Sequence, residues 1–232
     1  CNQYCSYCII PYARGKERSM PLEEAVAQAG RLSKNHHEIV LTGIHTGRYG
    51  YGKGYTLADL IERILEQTDI QRLRISSIEM NEVDAHFIRL LQNPRLGRHV
   101  HMPLQAGCDR ILERMHRPYD TKQYLHKVEE IRKAVPDISL STDLIVGFPG
   151  ESDADFTQTL AFIDQCAYSF LHVFPFSRRK GTQADIMKEQ VNEAVKKRRV
   201  HLAMEKSECL YDVFKRRQIG KISSVLMEKA HE

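Results

Sequence analysis

Short apolar runs alternate with amphipathic stretches along the chain. Five runs have the length and apolar content of buried strands, and they cover residues 38–43, 73–80, 99–105, 138–148 and 170–176. Between them, apolar positions recur at helical spacing over residues 21–34, 56–67, 120–135 and 153–166. Alternating strands and helices predict a parallel sheet covered by helices. We therefore expect an α/β protein with a closed or partial (β/α) TIM-like barrel, whose active site lies at the carboxyl ends of the strands.

Local signals set several helix boundaries. Pro21 opens the first helix, where a missing N–H does no harm. Thr56 and Asp120 are N-cap residues for the next two helices, and Pro136 stops the helix that begins after Asp120.

The C-terminal quarter differs from the rest in charge. Residues 178–221 hold 13 Lys and Arg against 6 Asp and Glu, a balance of +7, whereas the whole chain carries +4. Residues 191–217 predict one long helix, and an anionic partner such as RNA suits its basic face. A solvated helix face is the alternative. We expect an apolar stripe on this helix to pack on the barrel, formed by Val191, Val195, Leu202, Cys209 and Val213.

Composition excludes some classes of protein. The chain has 232 residues and is 42% hydrophobic, enough for one large core. It contains no run of about 18 apolar residues, so we expect no membrane span, and we do not expect its first residues to be a signal peptide, because they are polar and rich in cysteine. A chain that begins at a cysteine is expected to be a fragment.

Cysteines cluster in one place, the opening segment CNQYCSYC. Cys108, Cys166 and Cys209 are scattered, which is a poor disulfide framework and favours a reducing, cytoplasmic setting. Three thiolates in one loop suit an iron–sulfur cluster with one iron left open. A zinc site with a distant fourth ligand and a redox pair of two cysteines are the alternatives.

Polar and glycine-rich stretches follow the predicted strands. TGIHTGRYG follows the first strand, SSIEM closes the second, PLQAGC follows the third and GFPGES the fourth. Glycine lets backbone approach a ligand closely, so several such loops around one rim favour a cofactor site over ordinary turns.

These motifs resemble a known family. The three-cysteine loop followed by a (β/α) barrel resembles the radical S-adenosylmethionine enzymes. CSYCIIPYARGKERS, HMPLQAG, IVGFPGES and FPFSRRKGTQA resemble the methylthiotransferases among them, over nearly the whole chain. EIVLTGIHTGRYG is similar to the subgroup that methylthiolates N6-threonylcarbamoyladenosine beside the tRNA anticodon. Other subgroups act on isopentenyladenosine in tRNA or on a ribosomal-protein aspartate.

The resemblance implies a set of site residues. A [4Fe–4S] cluster would be held by Cys1, Cys5 and Cys8, and its open iron would bind S-adenosylmethionine, which an electron from the cluster would cleave to a 5′-deoxyadenosyl radical. The cofactor would be contacted by Tyr7, Thr42, Gly43, Ser77, Glu79, Gln105, Asp143 and Val146.

Basic residues are implied to contact tRNA, and those that follow the cysteine loop could pair with the cofactor carboxylate instead. The basic residues are Arg14, Arg18, Lys196, Lys197, Arg198, Arg199, Arg216 and Arg217, with Lys16 beside the first two. This sequence departs from the family at Met20, Ala106 and Cys108, which puts contacts from those side chains in doubt.

The resemblance also implies a domain organisation. Residues 1–190 would be the radical core domain, residues 191–217 a linking basic helix, and residues 218–232 the first strand of a truncated, TRAM-like RNA-binding β-domain. A second cluster is expected in an N-terminal domain outside this sequence, so we predict that the chain binds cluster and cofactor but does not complete sulfur insertion alone. The implied partners are tRNA and an electron donor such as flavodoxin or ferredoxin, with no membrane, and we expect a monomer. A non-enzymatic RNA-binding module with a zinc loop is the alternative of another class.

Overall fold

The computed structural model describes residues 1–227. Five strands form in chain order: β1 (Glu38–Leu41), β2 (Arg72–Ile75), β3 (His99–His101), β4 (Ser139–Val146) and β5 (Phe170–Pro175). All pairs are parallel: β1 pairs with β2, and β4 is a central strand that pairs with β3 on one side and with β5 on the other. The N–H of Ile78, just after β2, donates to the His101 carbonyl at 3.0 Å, which joins the two sheets. The strands therefore follow one another around an open barrel, as predicted.

Helices cover the outside of this barrel. They are α1 (Ile10–Arg14), α2 (Leu22–Leu32), α3 (Leu57–Gln67), α4 (Ala85–Leu90), α5 (Asp109–Arg114), α6 (Thr121–Ala134), α7 (Asp153–Cys166), α8 (Gln183–Ile186) and α9 (Glu193–Gln218). Capping boxes begin α3 at Thr56, α6 at Asp120 and α7 at Ser152, which confirms the first two predicted N-caps. The short helices α1, α4, α5 and α8 were not predicted, because four to six residues give too little periodicity.

β2, β3 and β4 alternate between apolar side chains that face the core and mainly polar side chains that face the barrel interior, whereas β5 presents Phe170 and Phe174 to the interior. Leu73, Val100, Leu140 and Leu171 are buried in the core beneath the helices. Their neighbours along the strands point to the barrel interior, where a cavity of about 720 Å³ is lined largely by polar side chains. The barrel interior is therefore not filled by packed side chains. It is a cavity with space and hydrogen-bonding groups for a ligand.

All five strands end earlier than predicted, and two of them, β2 and β3, end four or more residues earlier. β2 stops at Ile75, and residues 76–79 form a loop before a 3-10 helix, Met80–Glu82. β3 stops at His101 because Pro103 has no N–H for the ladder. Gln105 rejoins the sheet only as an isolated bridge to Leu144, with a left-handed φ of 71°.

The C-terminal helix α9 packs on the barrel by a different face from the one predicted. Leu202, Cys209 and Val213 are exposed, so the predicted apolar stripe is wrong. The buried positions are Lys196, Arg199, Ala203 and Ser207. The small residues at 203 and 207 allow the helix to approach β5, where the Leu171 N–H donates to Ser207 Oγ at 3.0 Å.

The segment after α9 contains no strand in its described part. Residues 221–227 are neither helix nor strand, and a strand needs a partner to satisfy its backbone groups. The rest of the predicted strand, residues 228–232, lies outside the described residues. None of the described helices is both long and apolar enough to cross a membrane.

Candidate cofactor site

The cysteine loop lies at the start of the chain. Cys1, Cys5 and Cys8 are free thiols; Cys5 is buried and the other two are partly exposed. The Cys8 N–H donates to the Cys5 carbonyl at 3.0 Å, which closes a tight turn between these two cysteines. Three free sulfur ligands on one short loop are a donor set that iron–sulfur clusters use.

Ser6 anchors this loop to the barrel. Its side chain is buried, and its hydroxyl donates to the Arg114 carbonyl at 2.7 Å. Its N–H donates to the Met115 carbonyl at 3.1 Å, and its own carbonyl accepts from the Ala184 N–H at 2.8 Å. The loop is therefore fixed between the end of α5 and the start of α8.

Of the non-glycine residues with left-handed backbone in the described part of the chain, three lie in the candidate site or next to it, and the fourth, Ala167, is the C-cap residue of α7. Four non-glycine residues have φ in the left-handed region in the described part of the chain: Tyr4, Gln105, His116 and Ala167. The first lies among the cysteines, the second is a predicted cofactor contact, and the third precedes an arginine that contacts Cys5. Such residues cost about 1–3 kcal/mol each and persist where the surroundings hold them, as functional sites do.

A buried arginine that the sequence analysis missed joins the loop to the strand ends. Arg117 Nη1 donates to Cys5 Sγ at 3.3 Å, and its Nη2 pairs with the Glu79 carboxylate. Its Nε donates to the Tyr119 hydroxyl at 3.0 Å. Arg117 lies in the segment HRPYD between α5 and α6, and nothing in that pattern indicates burial. Glu79 and Cys5, predicted to serve cofactor and cluster, thus share one cation.

Tyr7 lies beside the same pair. Its ring packs edge-on against Phe148 at 6.4 Å between centroids. Burial raises the pKa of the Tyr7 phenol well above its usual value, with Cys5 adding to this and Arg117 opposing it. Tyr7 therefore stays neutral and offers an aromatic face and a hydroxyl.

Two cavities gather most of the remaining predicted residues. Cys1, Arg14, Arg18, Thr42 and Gly43 line one cavity of about 560 Å³ between the cysteine loop and the end of β1. Ser77 and Asp143 line the barrel interior instead. Thr42, Gly43 and both arginines are exposed, so they are accessible to a ligand.

Gln105 and Val146 contribute mainly backbone. The Gln105 N–H donates to the Asp143 carbonyl at 2.9 Å, and its carbonyl accepts from the Ile145 N–H at 2.9 Å. Val146 is fully buried, and its carbonyl accepts from the Phe176 N–H at 2.8 Å. The Val146 side chain belongs to the core and does not reach the site.

Histidines line the barrel interior and form a second group that the sequence analysis missed. His99 Nε2 and His101 Nδ1 lie 2.7 and 2.9 Å from the Ser141 hydroxyl, and His101 Nε2 lies 3.3 Å from Asp143 Oδ2. Burial, followed by the charges of His101, Arg74 and His172, lowers the pKa of His99 to about 4. The sequence HVH could have predicted this group, because alternate residues of a strand lie on the same face and both histidines therefore share one face of β3.

The basic residues of α9 divide into two groups. Lys197, Arg198, Arg216 and Arg217 are exposed. Lys196 and Arg199 are buried, so the expectation that they belong to the exposed basic face is wrong. Arg199 pairs with Glu151 at 2.7 Å because the helix turns this face towards the barrel.

A single-ion site is not preformed in the part of the chain that the structure describes. Among residues 1–227, no group of three or more His, Cys, Asp or Glu side chains converges to hold one metal ion. The alternative of a zinc loop therefore has no preformed ligand set in this range. In a four-iron cluster the thiolates bind separate irons and need not converge on one point.

Fold and site together define a class of protein. The family model described as the radical SAM superfamily matches residues 1–163, and the chain belongs to this superfamily. The family implies a [4Fe–4S] cluster and S-adenosylmethionine, in agreement with the cysteine loop at the barrel mouth.

Particular relatives narrow the comparison. The chain is 39% identical to the threonylcarbamoyladenosine tRNA methylthiotransferase MtaB of Bacillus subtilis, over 99% of this chain and 52% of the relative. It is 40% identical to MtaB of Thermotoga maritima, over 98% of this chain and 53% of the relative. It is 34% identical to a tRNA-2-methylthio-N(6)-dimethylallyladenosine synthase of Finegoldia magna, over 98% and 50%. The chain thus spans about half the length of the curated relatives it matches.

Solved structures support the fold. Methylornithine synthase (PylB) superimposes with a TM-score of 0.60 at 14% identity, covering 89% of this chain and 60% of that one. The radical S-adenosylmethionine methyltransferase TsrM from Kitasatospora setae gives 0.66 at 17% identity, covering 80% and 37%. At this identity the likeness concerns the barrel alone.

Proposed function

We propose that the chain is the cofactor-binding core of a tRNA methylthiotransferase that acts on N6-threonylcarbamoyladenosine. The observation that carries the proposal is a three-cysteine loop fixed at the barrel mouth, in a chain similar over nearly its whole length to MtaB proteins. The relative from Finegoldia magna, named for dimethylallyladenosine, makes that nucleoside the alternative substrate.

The residues present fit an iron–sulfur cluster. Cys1, Cys5 and Cys8 are free thiols, and the buried Cys5 already has a cationic hydrogen-bond donor in Arg117, which suits a negatively charged sulfur ligand. These cysteines would hold three irons and leave the fourth for S-adenosylmethionine. When bound and reduced, the cluster supplies the electron that cleaves this cofactor.

Side chains at the strand ends would bind and orient the cofactor. Glu79 offers a carboxylate and Ser77 a hydroxyl at the end of β2, and Asp143 faces the interior from β4. Thr42 and Gly43 present exposed groups at the end of β1, beside Cys1. Tyr7 would pack against the adenine with its neutral aromatic ring.

Exposed cations would hold the tRNA backbone. Arg14 and Arg18 border the cavity next to Cys1. Lys197, Arg198, Arg216 and Arg217 are exposed along α9. Contacts of this kind give affinity that depends on salt and carry little sequence information.

Two measurements test the proposal. Anaerobic reconstitution is expected to give about four iron and four sulfide per chain, with an absorption spectrum that changes on addition of S-adenosylmethionine. Cys5→Ser is expected to lose the cluster, whereas Cys209→Ser, at an exposed thiol of α9, keeps it. Zinc without iron in the wild type would favour the RNA-binding module.

The substrate is tested in cells. Deletion of the gene that encodes the chain is expected to remove the methylthio group from N6-threonylcarbamoyladenosine in tRNA, measured by mass spectrometry of nucleosides. If the methylthio group is lost from the dimethylallyl nucleoside instead, the proposed substrate is wrong and the alternative substrate is supported.

A further inference from the structure

Arg117 holds a position from which it can act on cluster and cofactor together. Resting on the proposed function, we propose that Arg117 is a positioning residue of this site. Through Cys5 it raises the reduction potential of the cluster, and through Glu79 it fixes a carboxylate for S-adenosylmethionine. The inference depends on three contacts of one guanidinium.

Each nitrogen of the Arg117 guanidinium has a different partner. Nη1 donates to Cys5 Sγ, Nη2 to Glu79 and Nε to the Tyr119 hydroxyl. The side chain is only 2% exposed, and its guanidinium carbon lies 5.0 Å from the centre of the Tyr119 ring. Three separate partners leave the guanidinium little freedom to turn, so the contact to Cys5 is geometrically defined.

Tyr119 holds the arginine from behind. Its ring is buried, and its hydroxyl lies 2.8 Å from the Pro103 carbonyl and 3.0 Å from that of Leu104. These two carbonyls lie between β3 and Gln105, so the support of Arg117 belongs to the barrel wall itself. The guanidinium is therefore built onto a rigid element, as a positioning residue requires.

Charge balance points to the sulfur. Burying a cation is costly unless anions pair with it, and Glu79 supplies one negative charge. A ligating Cys5 would be a thiolate and would supply a second. Hydrogen bonds to cluster sulfurs and nearby positive charge stabilise the reduced cluster, which carries one more electron than the oxidised form, and they raise its reduction potential.

The same guanidinium leaves part of Glu79 available. Nη2 engages Oε2 of Glu79, and within residues 1–227 the other carboxylate oxygen, Oε1, accepts no hydrogen bond from the protein. Glu79 lies between β2 and the 3-10 helix Met80–Glu82. Arg117 therefore fixes the orientation of an acceptor for the amino or hydroxyl groups of S-adenosylmethionine.

The experiment compares three variants of the anaerobically reconstituted protein. The cluster is reduced by dithionite in a redox titration followed by electron paramagnetic resonance, and binding of S-adenosylmethionine is measured separately by equilibrium dialysis. R117Q removes the positive charge, whereas R117K keeps the charge but lacks the guanidinium and its three separately directed donors. E79Q removes the carboxylate and keeps the hydrogen bond from Arg117 to Cys5. R95Q is the matched control, because Arg95 is a partly buried arginine that bonds the Thr68 carbonyl at 2.8 Å and does not contact Cys5.

The expected shifts have opposite signs. The midpoint potential of R117Q moves to more negative values, and that of E79Q moves to more positive values, because one loses a cation and the other an anion near the sulfur. R117K shifts less than R117Q. Both R117Q and E79Q bind S-adenosylmethionine about tenfold or more weakly, since each loses a charged hydrogen bond or its orientation. R95Q leaves potential and binding unchanged.

Failure of the inference differs from failure of the proposed function. Wild-type protein that takes up no iron overturns the proposed function. The role of Arg117 is overturned if wild type and R117Q both take up the full iron content and have equal midpoint potentials. If circular dichroism shows that R117Q does not fold, the midpoint potentials of R117K and E79Q test the inference instead. The inference is overturned if both variants have the wild-type midpoint potential.

Discussion

Replacing Arg199 by methionine is predicted to destabilise the fold rather than to weaken RNA binding. Arg199 Nη1 donates to Glu151 Oε2 at 2.7 Å, and Nη2 to Asp153 Oδ1 at 2.8 Å. The Arg199 and Glu151 side chains are 3% and 1% exposed. Both charges are therefore removed from water and depend on each other.

The magnitude follows from what the substitution leaves behind. Without Arg199, the Glu151 carboxylate remains buried with the Gly147 N–H as its main donor. Breaking one side of a buried pair costs about 3–5 kcal/mol. Burial already raises the pKa of Glu151 against the lowering effects of the Gly147 N–H and Arg199. In R199M that pKa rises further, so the loss is smaller near pH 5, where the folded state takes up a proton, than near pH 8.

The assay is urea unfolding of wild type, R199M, R198M and R199M/E151Q at pH 5 and pH 8. Arg198 is the matched control because it is the neighbouring residue and forms only an exposed pair with Asp153, which water and salt screen. R199M/E151Q is expected to regain part of the loss, because it removes the unpaired charge. If R199M costs no more than R198M, or if it lowers tRNA affinity without loss of stability, the buried-pair argument is wrong.

Three further predictions concern pH, backbone and RNA. Burial lowers the pKa of His99 to about 4, so on acidification the unfolded chain takes up a proton at this histidine before the folded chain does. About 2–3 kcal/mol of unfolding free energy is therefore lost as the pH falls from 6.5 to 4. If unfolding free energy falls as steeply with pH in H99Q as in wild type, this prediction is wrong. Gly147→Ala should cost at least about 1 kcal/mol more in urea unfolding than Gly52→Ala, because both have φ near +72° but only the Cβ at 147 meets the Lys196 side chain; equal losses would contradict it. Lys197→Ala should lower tRNA affinity and reduce the salt slope by about 1 without loss of stability, measured by filter binding at several salt concentrations, and an unchanged slope would remove Lys197 from the phosphate contacts.

The order of strands and long helices was predictable because it depends on local patterns. Apolar runs of strand length located all five strands, and Thr56 and Asp120 indicated where their helices begin. These signals act over a few residues, so they are readable before the fold is known.

The burial of charged residues was not predictable in the same way. Arg117 and Arg199 have no local pattern that distinguishes them from surface arginines, and their burial depends on Glu79 and Glu151, which are 38 and 48 positions away. Likewise, the buried face of α9 is decided by its fit to β5 and not by its own apolar residues. The cysteine loop could be identified from spacing, whereas the arginine that supports it needed the tertiary structure.

The contact between Ser207 and Leu171 has a consequence for how the protein can be divided. β5 is the edge strand of its sheet, and the Leu171 N–H on its free edge donates to the Ser207 hydroxyl of α9. Cutting the chain near residue 190, at the predicted boundary of the core domain, would uncover this strand and leave it able to pair with a second molecule. A recombinant core that is meant to stay monodisperse should therefore keep the helix through Gln218, even when tRNA is not being studied.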